Sequence, residues 1–295
     1  MLAITGANGF VGRHVVRELL RTRPPSAVRG LVLDEARART ELGRHEIPLR
    51  VADVRDAASL SGVFDGCEAI VHTVAIATER RGRFDEVNVR GVENVIAEAR
   101  RAGVRRIVHL SAVGAAPDSP YPFLRSKGRG QRLIETSTIP FVVLRPSLLF
   151  GPGDDFFPRV AFTLRFPIVP VPGDGRARFQ PIHVEDVAAC VLAALERAEL
   201  VGRAYEIGGP DPVTYDELLG EAMAALGVRR PRLHLPVPFV KPAAFALGIV
   251  LADPPVTVAQ LDLLAVPNVP QPNEVARFGV RPRPFRGGLG YLRSA

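Results

Sequence analysis

The chain has 295 residues, of which 47% are hydrophobic and 23% charged, and this balance excludes a mainly disordered protein. Its two cysteines, Cys67 and Cys190, exclude a disulfide-rich scaffold and disfavour a cysteine-based metal centre. The net charge is +7, and only Lys127 and Lys241 among the 38 basic residues are lysines. Because the arginines are scattered and no nucleic-acid-binding motif is present, we expect no nucleic-acid partner.

Hydropathy along the chain predicts a protein without a membrane-spanning segment. The longest apolar run, Ala243–Ala252, is far shorter than the about twenty residues that a membrane-spanning helix needs. The sequence passes from Met1 directly into a short apolar run and a glycine turn. We therefore expect no signal peptide and a cytoplasmic location.

The first half alternates short apolar runs with amphipathic stretches. Strands are predicted at Leu2–Thr5, Val28–Leu33, Leu49–Ala52, Ala69–Ala75, Arg106–Leu110 and Phe141–Leu144. Helices are predicted at Gly12–Leu20, Glu35–Leu42, Val87–Arg101 and Leu124–Glu135. Strands that alternate with helices predict a parallel sheet with right-handed crossovers.

The second half has a different character. Only six of the 27 prolines precede Pro140, so short elements and ordered loops are expected after it. Helices are still predicted at Val184–Arg197 and Tyr215–Leu226, the second opening on a capping box of Thr214 and Glu217. We predict one domain over residues 1–150 and a smaller lobe over 151–295, with segments around 176–210 returning to the first domain.

A glycine turn follows the first strand. Residues 5–12 read Thr-Gly-Ala-Asn-Gly-Phe-Val-Gly, which is a G-x-x-G-x-x-G pattern at the start of a helix. Glycines let the backbone approach a pyrophosphate, and the helix N-terminus presents free N–H groups to it. The turn therefore predicts an α/β Rossmann-type doubly wound sheet that binds a dinucleotide through Gly6, Asn8, Gly9, Phe10, Val11 and Gly12.

The end of the second strand bears on which dinucleotide binds. Asp34 lies 22 residues after Gly12, where a carboxylate accepts hydrogen bonds from the adenosine ribose and repels a 2′-phosphate. This position favours NAD over NADP. Arg37 and Arg39 are the alternative, since they could hold a 2′-phosphate, and Asp34 could instead cap the helix Glu35–Leu42.

Taken together, these motifs resemble the short-chain dehydrogenase/reductase superfamily in its extended or atypical form, the NAD-dependent epimerase/dehydratase-like proteins. The subgroup most similar to the chain resembles an accessory subunit of respiratory complex I. The stretches that carry the superfamily resemblance are residues 5–12, 52–56, 70–75, 87–91, 110–111, 144–147, 150–154 and 181–188. Those that carry the subgroup resemblance are residues 124–128, 179–183 and 254–264.

The resemblance implies roles for residues outside the glycine turn. Asp53 is expected to reach the adenine amino group and Val54 to flank the base. The backbone of Ala75 is expected near the nicotinamide ribose, and Pro146 against the nicotinamide. The alternatives are a strand-end cap for Asp53 and a core position for Val54. Asn88 is expected to bond backbone within the fold.

The chain departs from this family at the Tyr-x-x-x-Lys pair. There the lysine holds the nicotinamide ribose and lowers the tyrosine pKa, and the tyrosine exchanges a proton with the substrate. Lys127 is present, but Phe123 stands four residues before it and has no exchangeable proton. Tyr121 lies on a different helical face and, before Pro122, is expected outside the helix.

Other candidate residues are less specific. Ser111 ends the fifth strand and is a candidate catalytic residue, although Val113 is an alternative match to the family's serine and Ser111 could be a strand-end hydrogen bonder. We predict no metal site: a set formed by His183, Glu185 and Asp186 has no second histidine nearby, so these residues are interpreted as structural. His72 is interpreted as a core histidine.

The apolar stretch Phe239–Leu264, interrupted by Pro254 and Pro255, is interpreted as helices that cover a substrate cleft. The alternative is a surface for a partner protein or a membrane, because Arg229, Arg230, Arg232 and Lys241 would suit anionic lipid. The resemblance also implies a homodimer through helices such as Val87–Arg101 and Leu124–Glu135.

Two function classes follow. The first is an NAD(P)-dependent oxidoreductase or epimerase for a small carbonyl, sugar-nucleotide or isoprenoid-like substrate, with Lys127 and Ser111 as the catalytic candidates. The second is a cofactor-binding sensor, assembly factor or structural subunit without turnover, which Phe123 favours. The sequence does not name the substrate.

Overall fold

The computed structural model describes residues 1–79, 82–250 and 258–294. Within them the chain forms two compact units. Unit 1 consists of Met1–Pro146, Val184–Ile207 and Pro272–Arg281. Unit 2 consists of Ser147–His183, Gly208–Gln271 and Pro282–Ala295. The sequence analysis set the division at residue 150 and assigned the returning segment to about 176–210; it assigned no role in the first domain to Pro272–Arg281.

The strands in chain order are β1 Leu2–Thr5, β2 Val28–Val32, β3 Leu49–Val51, β4 Ala69–His72, β5 Arg106–Leu110, β6 Phe141–Pro146, β7 Leu149–Phe150, β8 Val169–Pro172, β9 Arg178–Phe179, β10 Ile182–His183, β11 Arg203–Ile207, β12 Val213–Thr214 and β13 Arg232–Leu235. The α-helices are α1 Phe10–Leu19, α2 Glu35–Leu42, α3 Gly91–Arg101, α4 Pro122–Glu135, α5 Phe156–Thr163, α6 Val184–Glu196, α7 Tyr215–Leu226, α8 Val237–Val250 and α9 Val258–Leu263. Short 3₁₀ turns lie at Pro25–Ala27, Ala198–Leu200, Val275–Phe278 and Gly290–Ser294, and a π-helical turn at Asp85–Arg90.

Unit 1 is built on a seven-stranded parallel sheet in the order β11-β6-β5-β4-β1-β2-β3. All four residues of both β1 and β4 are buried, as expected for central parallel strands that helices cover on both faces. The strand order reverses beside β1, and ligands bind at such a switch point in doubly wound sheets. The Rossmann-type α/β fold is therefore confirmed.

Two predicted elements differ in detail from the observed ones. The strand predicted at Ala69–Ala75 ends at His72, because the chain leaves the sheet there to meet the glycine turn. The helix predicted at Val87–Arg101 is α3 preceded by the π-helical turn Asp85–Arg90. Periodicity does not reveal this turn, because six residues are too few to distinguish a π-helical period from an α-helical one.

Two glycines of α4 allow it to lie against backbone. A Cβ at Gly128 would come within 2.2 Å of the carbonyl carbon of Ala116, and one at Gly130 within 2.2 Å of the Asn88 carbonyl oxygen. Neither position can therefore carry a side chain without a shift of the main chain. This close approach sets where α4 places its polar residues.

Unit 2 has shorter elements and its own apolar core. Three two-stranded sheets pair β10 with β7, β12 with β9, and β13 with β8. The core includes Phe150, Phe157 and Phe285. The predicted capping box is confirmed: Thr214 and Glu217 each accept a hydrogen bond from the other's backbone N–H at the start of α7.

The apolar stretch predicted to be helical contains α8 and α9. Residues 251–257, which include Pro254 and Pro255, lie outside the described residues. No helix in the described parts of the chain is both long enough and apolar enough to cross a membrane.

Candidate dinucleotide site

The glycine turn joins β1 to α1 in a conformation that requires glycine. Gly6 has φ +69°, and its N–H donates to the Leu31 carbonyl at 2.9 Å. A Cβ at Gly12 would lie 2.0 Å from the Gly6 carbonyl oxygen, and one at Gly9 would lie 3.1 Å from the same atom. The first turn of α1 has no acidic side chain, and no side chain caps its N-terminus. The turn therefore offers the bare backbone N–H groups that a pyrophosphate needs.

Three predicted cofactor residues of the turn have side chains with other neighbours. The Asn8 amide donates to the Glu41 carboxylate of α2 at 2.7 Å. The Phe10 ring meets His14 edge-on, with the ring centroids 5.9 Å apart. Val11 is half-buried. Their contacts with a dinucleotide stay predictions.

Asp34 is the N-cap of α2. Its Oδ1 accepts a hydrogen bond from the Arg37 N–H at 2.9 Å, and the residue is exposed. The capping alternative is thus observed, and ribose binding by the same carboxylate stays a prediction. Arg37 pairs with Glu41 at 2.8 Å and Arg39 with Glu35 at 3.1 Å, so both candidates for a 2′-phosphate contact already neutralise a carboxylate.

Asp53 and Val54 follow β3. The Arg55 guanidinium holds the Asp53 carboxylate at 2.6 to 3.1 Å and, through these hydrogen bonds, lowers the pKa of that carboxyl. Val54 is buried in the unit 1 core, against Gly91, and its carbonyl accepts from the Asn94 amide at 2.8 Å. The core alternative for Val54 is thus observed, and the adenine contacts of both residues stay predictions.

The segment after β4 is tied down at both ends. The Thr73 hydroxyl donates to the Thr5 carbonyl at 2.7 Å. The Asn88 amide bonds both backbone groups of Ile76, at 2.9 and 3.0 Å, which confirms its predicted structural role. Ala75 lies between these anchors and is exposed, so its backbone is open to a ligand.

Lys127 is buried at the carboxyl end of β5 and does not lie on the surface. Its Nζ donates to the Leu110 carbonyl at 2.5 Å, and the residue is 4% exposed. Burial disfavours the ammonium and lowers the Lys127 pKa to about 8. A buried ammonium beside the end of a parallel strand can donate to hydroxyl groups of a bound sugar.

No proton donor lies one helical turn before Lys127. The Phe123 ring occupies that position and faces Phe84, with ring centroids 6.0 Å apart. Tyr121 precedes the first residue of α4 and has an extended backbone, as predicted. One helical turn before the buried Lys127 there is therefore an apolar ring and no acid.

Ser111, Val113 and Pro146 lie together at the ends of β5 and β6. The Ser111 N–H donates to the Leu144 carbonyl at 2.7 Å, and the Val113 N–H to the Pro146 carbonyl at 3.1 Å. The Ser111 hydroxyl is buried and has no hydrogen-bond partner among the described residues. An unpaired buried hydroxyl is costly in a folded protein, and a ligand that accepts its hydrogen bond would relieve the cost.

His109 is a site residue that the sequence analysis missed. It lies beside His72 in the register of β5 and β4, and the two rings stack at 5.3 Å. The Thr5 hydroxyl bonds His72 Nδ1 at 2.7 Å, whereas His72 Nε2 and both His109 nitrogens have no partner among the described residues. The tripeptide Ile-Val-His occurs in both strands, and this repeat could have revealed the pair.

Both histidines are held neutral. Burial, reinforced by the charge of Lys127, lowers the pKa of His72 to about 3 and that of His109 well below its ordinary value. The rings therefore add polar atoms but no charge to the interior below the site. The core interpretation of His72 fits this placement.

His183, which the sequence analysis considered as a metal ligand and interpreted as structural, has an aromatic ring and an arginine as neighbours. The His183 ring packs edge-on against Phe150 at 5.0 Å, and Arg283 approaches its Nδ1 at 3.4 Å. Glu185 and Asp186 lie in the first turn of α6. Within the described residues, no group of three His, Cys, Asp or Glu side chains is arranged to hold a metal ion.

The parallel sheet, the glycine turn at its switch point and the buried lysine define a dinucleotide-binding protein of the Rossmann type. The sequence profile of the NAD dependent epimerase/dehydratase family matches residues 2–208. The chain belongs to this family, and its cofactor is a nicotinamide dinucleotide.

Curated relatives are similar over most of the chain. The mitochondrial NADH dehydrogenase [ubiquinone] 1 alpha subcomplex subunit 9 of Arabidopsis thaliana is 29% identical over 255 residues, which cover 82% of this chain and 61% of the relative. The ceramide reductase of Caulobacter vibrioides is 29% identical over 244 residues, 81% of this chain and 74% of the relative. The chain thus spans about three fifths of the length of the first of these relatives.

Solved structures share the fold over nearly the whole chain. The NADPH-dependent quinone oxidoreductase of Escherichia coli, complexed with NADPH, has a TM-score of 0.81 at 22% identity, over 99% of this chain and 100% of that one. The UDP-glucose 4-epimerase of Thermotoga maritima has a TM-score of 0.76 at 19% identity, over 99% and 98%. At these identities the likeness shows the fold.

Proposed function

We propose that this chain is an NAD(P)-dependent oxidoreductase that reduces a quinone-like carbonyl. The observation that carries the proposal is the pair on α4: a buried Lys127 with the apolar Phe123 one turn before it. The lysine keeps the means to hold a nicotinamide ribose, while the usual proton donor is missing. Such a site suits an acceptor that needs little help from an acid.

In this proposal, different residues of unit 1 bind different parts of the dinucleotide. The backbone of the glycine turn and the start of α1 would hold the pyrophosphate. Asp34 would accept hydrogen bonds from the adenosine ribose, and Asp53 and Val54 would meet the adenine. The backbone at the carboxyl end of β1 has no side chain over it at the glycines, and these positions leave no room for a Cβ; both observations support this fit.

The nicotinamide half would lie at the ends of β4, β5 and β6. Lys127 would donate to the nicotinamide ribose, Ala75 would pass its backbone beside it, and Pro146 would contact the nicotinamide. Ser111 would donate its unpaired hydroxyl to the acceptor carbonyl. When bound, the cofactor supplies a hydride, and the chain's own residues orient the acceptor.

Because Phe123 cannot donate a proton, the site should reduce some acceptors much faster than others. General acid catalysis is worth about 10²- to 10⁴-fold, so a simple ketone, whose reduction forms a strongly basic alkoxide, would react slowly here. A quinone instead forms a phenol-type oxyanion, whose conjugate acid has a pKa of about 10, like that of tyrosine. It can take its proton from water after the hydride arrives. The quinones in the names of a curated relative and of a structural neighbour support this class.

The first test is a titration with NADH and NADPH, followed by turnover with the tighter-binding cofactor. We expect reduction of a soluble benzoquinone and little or no reduction of a simple ketone. Lys127→Met should weaken dinucleotide binding by about 10- to 100-fold, the value of one or two charged hydrogen bonds. Lys241→Met, which changes the chain's other lysine, is the matched control and should leave binding unchanged.

Phe123→Tyr tests the role of the missing acid. We expect the variant to gain ketone reduction while its quinone reduction changes little. Equal rates for quinone and ketone in the wild type would contradict the proposal, as would failure to bind either dinucleotide.

A second function is a cofactor-binding subunit without turnover. Phe123 favours it, and so does the name of the complex I subunit among the relatives. Tight dinucleotide binding, with no acceptor reduced by either the wild type or Phe123→Tyr, would establish this reading instead.

The assembly and location expected from the sequence stay predictions. Light scattering on the purified protein tests the homodimer, which would use α3 and α4. Fractionation of cells tests the cytoplasmic location.

A further inference from the structure

Unit 2 carries a set of large apolar side chains that face solvent. Phe162, Phe166, Ile168 and Leu233 are 46%, 51%, 51% and 50% exposed. Of the nine large apolar side chains that are exposed among the described residues, only Met1, Leu33 and Val51 belong to unit 1. Exposed apolar side chains that cluster mark interaction surfaces, whereas isolated ones need no explanation.

These side chains form one surface, because local contacts join them. The rings of Phe162 and Phe166 meet edge-on at 5.9 Å. Ile168 directly precedes β8, which pairs in parallel with β13 so that Leu233 lies opposite Pro170. Side chains alternate along β8: Val169 and Val171 are buried in the core, while Pro170 is exposed. We call Phe162, Phe166, Ile168, Pro170 and Leu233 the apolar face.

The two segments that form the apolar face carry basic but no acidic residues, and the acid that reaches β13 is Asp216 of α7, which pairs with Arg232 at 3.6 Å and with His234 at 3.0 Å. Segments 156–173 and 222–250 contain no Asp or Glu. Their basic residues are Arg159, Arg165, Arg229, Arg230, Arg232 and Lys241. The Arg165 guanidinium lies 5.9 Å from the Phe162 ring centre, and Arg230 donates to the Leu164 carbonyl at 3.3 Å. Positive charge therefore lies at the apolar face itself.

The helix that follows β13, α8, is likewise apolar and contains no acidic residue. α8 contains one charged residue, Lys241, whose ammonium pairs with Asp262 at 2.6 Å. Phe239 and Phe245 of this helix are 77% and 65% exposed. A second copy of the chain fits this surface poorly, because a two-fold interface would bring two sets of the same positive charges together. An anionic lipid bilayer matches both the apolar side chains and the positive charges, since acyl chains accept the apolar groups and headgroups pair with the arginines.

We propose that the apolar face of unit 2, with its surrounding arginines, docks the protein on the surface of an anionic lipid bilayer. The aromatic and aliphatic side chains enter the boundary between headgroups and acyl chains, and the protein lies on the membrane without crossing it. Each arginine near the surface strengthens binding about fivefold, from about 1 kcal/mol per charge. Binding therefore weakens as salt screens the charges.

The chain contains no tryptophan, so one introduced tryptophan reports on its own position. The test uses the full-length Phe166→Trp variant with vesicles of phosphatidylcholine and phosphatidylglycerol in low salt. We expect a blue shift of its emission and quenching by brominated acyl chains, with neither change on pure phosphatidylcholine. Val51→Trp, at an exposed apolar position of β3 in unit 1, is the matched control and should not respond.

Charge variants test the arginines separately. Arg165→Gln combined with Arg229→Gln should lower the partition coefficient on anionic vesicles by about 25-fold, from two charges at about fivefold each. Arg21→Gln combined with Arg100→Gln, two exposed positions of unit 1, should leave it within about twofold. Thermal unfolding of each variant confirms that it is folded.

Three results would overturn the proposal. One is the absence of any response of Phe166→Trp to anionic vesicles in low salt. Another is an equal loss of binding in the two charge variants. The third is a blue shift that depends on protein concentration without vesicles, which would assign the apolar face to contact between copies of the chain.

Discussion

The two units depart in opposite ways from the usual rule that polar groups are exposed and apolar groups buried: unit 1 buries polar atoms, and unit 2 exposes apolar side chains. In unit 1, polar atoms of His72, His109 and Ser111 are buried without hydrogen-bond partners among the described residues. In unit 2, Phe166 and Leu233 hold about half of their surface in water. Folded proteins normally pair buried polar groups and cover clustered apolar ones. A ligand that accepts the Ser111 hydrogen bond would relieve part of the departure in unit 1, and an apolar surface beside unit 2 would relieve the other.

The difference also shows what kind of ligand each unit can take. Unit 1 combines backbone donors at a glycine turn that admits no side chain with a buried ammonium at the end of β5, so it fits a molecule with many hydrogen-bond acceptors. Unit 2 arranges exposed side chains on a short sheet and a helix, which fits a broad surface without specific shape. The following variants test this contrast, from the largest expected effect to the smallest.

Gly12→Ala should break the site of unit 1. The added Cβ would meet the Gly6 carbonyl oxygen at 2.0 Å, so the turn must move. Loss of one or two hydrogen bonds from the N–H groups of the turn to phosphate should weaken dinucleotide affinity by about 10- to 100-fold, as measured by titration. Gly290→Ala, where a Cβ would meet nothing within 4 Å, is the control. An affinity within threefold of the wild type would show that the turn does not hold the cofactor.

His72→Leu should change how unit 1 responds to acid. Burial lowers the His72 pKa from 6.5 to about 3, so between these two values only the unfolded chain binds the proton. Stability therefore decreases as the pH is lowered through that window. From pH 6.5 to 4.5 the wild type should lose about 2 kcal/mol more than the variant in urea unfolding. At pH 7 the variant is itself less stable, because the Thr5 hydroxyl loses its partner. Equal pH slopes would disprove the buried neutral ring.

Lys127→Met should remove a contribution that raises stability on the alkaline side of the pH profile. Burial lowers the Lys127 pKa from 10.5 to about 8, so between these values only the unfolded chain holds the proton and this lysine makes stability rise with pH. Across the window its contribution is about 3 kcal/mol at most. Cys67 and Tyr205, whose pKa values burial raises, act in the opposite direction. The difference between wild type and variant in urea unfolding isolates the lysine, and a constant difference would contradict its burial.

Thr214→Ala probes the fold of unit 2 apart from its surface. The variant loses the cap of α7, which should lower the free energy of unfolding by about 1 kcal/mol. Thr22→Ala, whose hydroxyl makes one long bond to the Leu19 carbonyl at 3.4 Å, is the control and should cost less than about 0.5 kcal/mol. Chemical denaturation measures both. A loss of vesicle binding in Thr214→Ala without a loss of stability would link the cap to the apolar face.

Much of unit 1 could be predicted because its signals are local. The helix Glu35–Leu42 and the strands at Leu2–Thr5 and Arg106–Leu110 have the predicted bounds, since apolar runs and caps act within a few residues. The glycine turn is equally local, because three glycines over seven positions fix the backbone. The role of Asn88 was also predictable, and its bonds to Ile76 confirm it.

Other features depend on contacts between distant parts of the chain. The stack of His72 and His109 exists because β4 and β5 pair in one register, 37 residues apart in sequence. The apolar face likewise needs β8 beside β13 to bring Ile168 and Leu233 onto one surface. Periodicity within either segment cannot show which residues a distant strand will bring alongside.

The sequence by itself determined the fold class, the glycine turn and the apolar Phe123 four residues before Lys127, because each follows from residue type and local spacing. Only the tertiary structure decided that Lys127 is buried and that, among the described residues, the Ser111 hydroxyl has no partner and the apolar face of unit 2 is exposed. Burial and hydrogen-bond pairing are properties of the whole packed chain, since the atoms that cover or satisfy a group come from elements far away in sequence.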